Sequence, residues 1–264
     1  MMIGIFDSGV GGLTVVRELQ KELPEYDLIY FGDTARTPYG NKSKETIIKY
    51  ALEDADFLIA RGAHVLVVAC NTVSALGIDA LRKRYPDIPI FEVITPAVKK
   101  AIELSNNKRI GIIGTRATIG SGIYEKKIAE EGRFSVISKA CPLFVPFIEE
   151  GWHKSAELKR IARRYLDGLK NENPDVLILG CTHYPIIKDI IQVKIGRRTR
   201  LVDSALSIAQ EIKKLLFSDK GLDNKLSKNK ELKIYLSDKT PHSINIVNKI
   251  LGNNVNIYED SDNF

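Results

Sequence analysis

The chain has 264 residues, 44% of them apolar, and a formal net charge of +6, which suits one large or two medium globular domains. No apolar run approaches membrane-spanning length. The basic excess, in 194–200 (KIGRRTR) and the lysines of 213–239, lacks the interleaved aromatics of a nucleic-acid groove and reads as solvated surface that would also favour a small anionic substrate.

Three cysteines, Cys70, Cys141 and Cys181, form no disulfide framework, and no cysteine–histidine spacing suggests zinc, so no metal is expected. The amino terminus, MMIGIFDSGVGG, lacks a signal-peptide pattern, and a cytoplasmic location is expected.

In chain order, Ile3 to Phe6 reads as a strand, followed by the turn Asp7-Ser8-Gly9-Val10-Gly11-Gly12. A helix from Leu13 is stopped by Pro24, and Leu28 to Phe31 is a second strand. Residues 34–41, TARTPYGN, form a loop by their Pro and Gly content. Ser43 caps a helix to about Arg61. Val65 to Ala69 is a strand, Thr72 or Ser74 caps the next helix to about Tyr85, and Ile90 to Val93 is another strand. Thr95-Pro96 opens a helix to about Leu104. The second half repeats the scheme: a strand at Ile110 to Ile113, a helix over about 121–131, a strand at Phe134 to Ser138, then an irregular segment from Cys141-Pro142 with loop and short helix over 144–151. A helix over 157–169 leads to the strand Val176 to Leu179, a helix to about Gly196 and the strand Arg200 to Val202. Asp203-Ser204 caps a helix to about Phe217, residues 218–231 form a lysine-rich surface loop, and Leu232 to Leu236, about 241–251 and Val255 to Tyr258 are strand, helix and strand. Alternation throughout predicts an α/β fold with mostly parallel sheets flanked by helices.

One stretch and its echo organise this pattern. Val65 to Ser74 is VLVVACNTVS and Val176 to Pro185 is VLILGCTHYP; each is an apolar strand ending in a small residue, a cysteine and a polar pair. Gly4 to Gly12 (GIFDSGVGG) and Gly111 to Gly122 (GIIGTRATIGSG) precede them by nearly the same interval. The doubling predicts two pseudo-symmetric lobes, 1–95 with 207–264 carrying Cys70, and 96–206 carrying Cys181. Their thiols should face each other across an interlobe cleft at the carboxyl ends of strands, where open α/β sheets bind ligands.

The turn at Gly9 imitates a dinucleotide fingerprint but lacks the third glycine, and Asp7 would oppose a pyrophosphate. Asp7 and Ser8 suit a small polar ligand. A thiol is useful as thiolate, and a helix N-terminus stabilises it. Asn71, Thr72, Thr182 and nearby amides could hold a carboxylate. Two thiols on opposite faces of one carbon allow one to remove a proton and the other to return one from the far side. A hydrolase using one cysteine nucleophile would leave the second unexplained. His183, two residues past Cys181, could serve it as acid or base.

With these residues in view the chain resembles the glutamate racemases, cofactor-independent enzymes of the aspartate/glutamate racemase superfamily. The matching motifs are GIFDSGVGGLTV at 4–15, YFGDTARTPYG at 30–40, VVACNTVSA at 67–75, GIIGT at 111–115, FVPFIEEG at 144–151 and LGCTHYP at 179–185. The resemblance implies that Cys70 and Cys181 are the acid/base pair, Cys181 acting on L-glutamate and Cys70 on D-glutamate. It implies that Asp7, Glu149 and His183 assist proton transfer. It implies substrate contacts at Asp7, Ser8, Tyr39, Gly40, Asn71, Thr72, Thr182 and His183. It further implies interconversion of L- and D-glutamate without pyridoxal phosphate or metal, D-glutamate supply for peptidoglycan, and a homodimer. The similar aspartate racemases usually carry Glu where His183 stands, which favours glutamate.

Overall fold

The structure, a computed structural model, describes residues 1–253 and 255–259. Ten strands lie among them: β1 (Met2–Asp7), β2 (Leu28–Gly32), β3 (Ala63–Val68), β4 (Ile90–Glu92), β5 (Arg109–Gly114), β6 (Ser135–Ala140), β7 (Val176–Gly180), β8 (Arg200–Asp203), β9 (Leu232–Leu236) and β10 (Ile257–Glu259). They form two sheets of parallel strands, ordered β10-β9-β2-β1-β3-β4 and β6-β5-β7-β8. The four strands of the second sheet repeat β2-β1-β3-β4 of the first. The register repeats as well, with Gly4 opposite Leu66 and Gly111 opposite Leu177.

The central strands are fully buried, as β1, β2 and β7 show along their whole lengths. Continuous Val, Ile and Leu runs meet that demand because helices cover both faces. On one face of the first sheet, Leu13, Val16 and Leu19 pack with Ile208, Ile212 and Leu216; on the other, Phe57 and Leu58 pack under Phe31 and Leu66. The helix Ile94–Leu104 buries Ala97, Val98 and Ala101 against Ile112 and Ile178 of the second sheet, whereas Ser204–Ser218 returns to the first. Ser43 caps Lys44–Ala60 by accepting the Thr46 N–H, and Asp203 caps Ser204–Ser218 by accepting that of Ala205.

Local departures from the expected elements have identifiable causes. The helix after Cys70 is capped at Cys70 itself and divides into Asn71–Leu76 and Ile78–Arg84 around Gly77. The helix expected over 121–131 is preceded by Arg116–Gly120, and the two are separated at Gly122, whose φ of +66° suits glycine. After Cys181 the chain makes a 3₁₀ turn, Tyr184–Ile187, before the helix Lys188–Ile195; Pro185 has no N–H to donate in that turn. Segment 218–231 is more than a surface loop. It contains the helix Lys220–Asp223, buries Leu226, and donates the Asn229 and Glu231 N–H groups to buried Asp27 beside the β2–β9 pairing. The final strand is Ile257–Glu259, one or two residues later than expected. Of the carboxyl-terminal range assigned to the first lobe, residues 254 and 260–264 lie outside the described residues.

Candidate active site

In each sheet the chain reverses direction across the pair β1/β3 or β5/β7, and open α/β sheets take ligands beyond such a switch point. Asp7 ends β1 and Cys70 follows β3; Thr115 follows β5 and Cys181 follows β7. The two sets meet. Cys70, Ser8, Asn71 and Thr72 from the first sheet line one cavity with Cys181, Thr182, His183 and Thr115 from the second. Both thiols are free and buried. The cavity measures about 20 Å³, room for about one water molecule.

The thiols differ in their partners. Cys70 Sγ donates to Ser8 Oγ at 3.5 Å. Burial, and then the nearby Asp7 carboxylate, push this thiol up to about 12. The expectation that a helix N-terminus would favour the thiolate is outweighed here: the helix starting at Asn71 has only six residues, whereas burial of an anion is costly. Cys181 Sγ lies 3.8 Å from His183 Nδ1, and His183 Nε2 lies 3.1 Å from Glu149 Oε1. Burial opposes protonation of His183, but hydrogen bonding to Cys181 and Glu149 prevails and raises it well above the ordinary histidine range.

Asp7 lies fully buried behind the cavity wall. Its Oδ1 accepts the Thr182 hydroxyl at 3.2 Å and its Oδ2 the Gly9 N–H at 3.1 Å. Burial raises its carboxyl above the ordinary aspartate value, against the pull of His183 and these donors. Glu149, likewise outside the wall, reaches the cavity through His183. Asn71 accepts the Tyr124 hydroxyl at Oδ1, and its buried Nδ2 has no protein partner among the described residues. Thr72, Thr115 and Thr118 share a hydroxyl cluster at 3.0–3.3 Å. Tyr39 and Gly40 line the cavity, but the Tyr39 hydroxyl is engaged by buried Asp33 and Asp54, which Arg36 also binds.

Two glycines allow the lobes to approach. A Cβ on Gly11 would stand 2.4 Å from His183 Nδ1, and one on Gly40 would stand 2.7 Å from Thr115 Cβ. Thr14 bridges the same seam, donating to the Thr182 carbonyl at 3.1 Å. Cys141 is buried outside the cavity, with Sγ directed to the Lys139 carbonyl. Among the described residues no group of three His, Cys, Asp or Glu side chains is placed to hold a metal.

Thr14, Thr115, Thr118 and Tyr124 are not among the residues the sequence singles out. Thr115 had a usable signal, since it follows β5 as Ser8 follows β1 within one residue of the strand end. Tyr124 had none, because it sits inside an ordinary helix.

The chain's relatives share this framework. The family model described as Asp/Glu/Hydantoin racemase matches residues 13–212. The chain belongs to this family, among its glutamate racemases. A curated glutamate racemase of Persephonella marina is 48% identical over 97% of this chain and 96% of its own length. A glutamate racemase isoform from Bacillus anthracis superposes with a TM-score of 0.91 at 35% identity, covering 98% of this chain and 96% of that one. The glutamate racemase of Francisella tularensis, solved in complex with D-glutamate, gives a TM-score of 0.90 at 39% identity, covering 100% and 98%.

Proposed function

We propose that this racemase interconverts L- and D-glutamate with two thiols, one on each face of the α-carbon. The observation that carries the reading is the placement of Cys70 and Cys181 on one cavity at the ends of register-matched strands β3 and β7. In the L-to-D direction the Cys181 thiolate takes the α-proton, and the electron pair left on carbon is delocalised into the α-carboxylate. Cys70, whose thiol burial pushes up to about 12, then delivers its own proton to the opposite face and is left as the thiolate that begins the reverse reaction. The reverse direction exchanges the roles. His183, held by Glu149, stands where it can accept and return the Cys181 proton. Asp7 orients Thr182 from behind. No lysine or arginine lines the cavity among the described residues, so substrate carboxylates would be held by Ser8, Asn71, Thr72, Thr182 and backbone amides near Tyr39 and Gly40. No pyridoxal phosphate or metal enters this scheme.

The division into lobes, 1–95 with 207–264 and 96–206, belongs to the same proposal. A cavity with room for one water must open to admit an amino acid, and hinging about the crossings near 95 and 206 would part the thiols. Preference for glutamate over aspartate rests on His183 in the position where similar aspartate racemases usually carry Glu. Supply of D-glutamate for peptidoglycan in the cytoplasm by a homodimer completes the reading. Among the described residues no helix is long and apolar enough to cross a membrane.

Isotope exchange tests the mechanism. During initial turnover of L-glutamate in heavy water, the first thiolate keeps the substrate-derived proton while the second thiol delivers a solvent-equilibrated deuteron. D-glutamate should therefore carry deuterium while remaining L-glutamate stays largely unlabelled. Early, equal labelling of both enantiomers would reject the two-thiol scheme.

A further inference from the structure

Tyr124 belongs to the helix Ile123–Glu131 that covers the second sheet, yet its hydroxyl crosses to the first lobe and donates to Asn71 Oδ1 at 2.7 Å. Asn71 directly follows Cys70. The ring of the same tyrosine packs beside Gly180, which directly precedes Cys181. A Cβ on Gly180 would stand 3.2 Å from Tyr124 Cε2 and 2.7 Å from the Ile113 carbonyl. One buried side chain therefore touches the loops of both thiols.

The bond has a chemical consequence. With Oδ1 committed to the tyrosine, the Asn71 amide presents Nδ2, buried and without a protein partner among the described residues. Asn71 lines the cavity. An orphaned buried donor is unfavourable, and an anion placed against it would satisfy it. The reversed amide would direct an acceptor at the anion instead.

We propose that Tyr124 is a positioning residue that orients the Asn71 amide so that its Nδ2 donates to a carboxylate of the substrate. The assignment rests on the racemase reading above. Burial, and then Glu92 and Cys181, hold the phenol well above its ordinary range, so it remains a donor at every working pH.

Tyr124→Phe keeps the ring and removes only the hydroxyl. Its KM for D-glutamate should rise about five- to tenfold with kcat changed less than about threefold, the signature of lost uniform binding. In an Asn71→Ala background the same change should add less than about twofold, because the tyrosine acts through the amide. Additive losses, or an unchanged KM in an active enzyme, would overturn the assignment. Absence of glutamate racemisation by the wild-type chain would instead overturn the functional reading. Should Tyr124→Phe lose its fold, Asn71→Asp answers the same question. Its carboxylate still accepts the tyrosine proton but aims an oxygen at the substrate, so D-glutamate should bind at least about tenfold more weakly than to Asn71→Ala. Binding equal to or tighter than that of Asn71→Ala would overturn the proposal.

Discussion

Cys70 and Cys181 occupy equivalent backbone positions but work among different neighbours. Ser8 hydrogen-bonds the first, with the buried Asp7 carboxylate nearby, and the His183–Glu149 pair lies beside the second. Replacing either with serine should reduce turnover in both directions by at least about a hundredfold, because a hydroxyl is a much weaker acid; racemisation followed by polarimetry reads this. Cys141→Ala should keep turnover within severalfold while costing about 1 kcal/mol of stability for the buried sulfur. A loss comparable to that of Cys70→Ala in folded protein would place Cys141 in the acid/base pair. His183 carries a pH signature. Its folded-state pKa lies above the unfolded value of about 6.5. The stability it contributes is therefore fully present below that pH and is lost as pH rises through the folded value. The melting-temperature gap between wild type and Glu149→Gln should narrow as pH rises above the unfolded value and through the raised folded one, and a widening gap would contradict the coupling.

At the scale of elements, the site is a meeting of loops held close by missing side chains and tied down from behind. Gly11→Ala places a methyl group 2.4 Å from His183 Nδ1, so the Asp7–Gly12 turn or the Cys181 loop must move. A shift of about 1 Å at a reacting group can cost about a hundredfold. We expect a fall in kcat of that order with a folded protein by circular dichroism; full activity would mean the seam yields freely. The loop that carries Tyr39 and Gly40 is anchored differently. Arg36 binds Asp33, Glu53 and Asp54, and both aspartates are fully buried. Arg36→Ala leaves those carboxylates without their guanidinium, a change that costs about 3–5 kcal/mol in buried pairs. Urea denaturation should show the loss at neutral pH. These anchors were not legible beforehand: residues 34–41 read as a loop from Pro and Gly, but its partners come from Lys44–Ala60 and from Ser237 beyond β9, whose hydroxyl accepts the Ala35 N–H.

For the whole molecule, the two sheets bring their carboxyl edges together, and interlobe hydrogen bonds from Thr14, Thr182 and Tyr124 cross the seam. The arrangement leaves a cavity far smaller than glutamate, and in the proposed function the lobes part to admit it and reclose. Amide exchange at residues 7–12 and 181–184 should slow when D-glutamate is added, because the closed state that buries these groups gains population. Unchanged exchange under saturating ligand would argue against lobe opening.

The succession of strands and helices in each half was readable from periodicity, since buried parallel strands impose unbroken apolar runs and turns must follow where those runs end; their order within each sheet was not. The doubled glycine–cysteine pattern likewise placed both thiols at strand ends, and the register match of Gly4 with Leu66 and Gly111 with Leu177 shows why the echo exists. What periodicity could not reveal was contact between lobes. The bond from Tyr124 to Asn71, the close approach of Gly11 to His183 and the elevation of the Cys70 thiol each arise between residues distant in sequence. A local pattern reports which face of an element is buried. It carries no record of which distant side chain meets that face, or how completely water is excluded there, and those contacts decide hydrogen-bond partners and proton affinity.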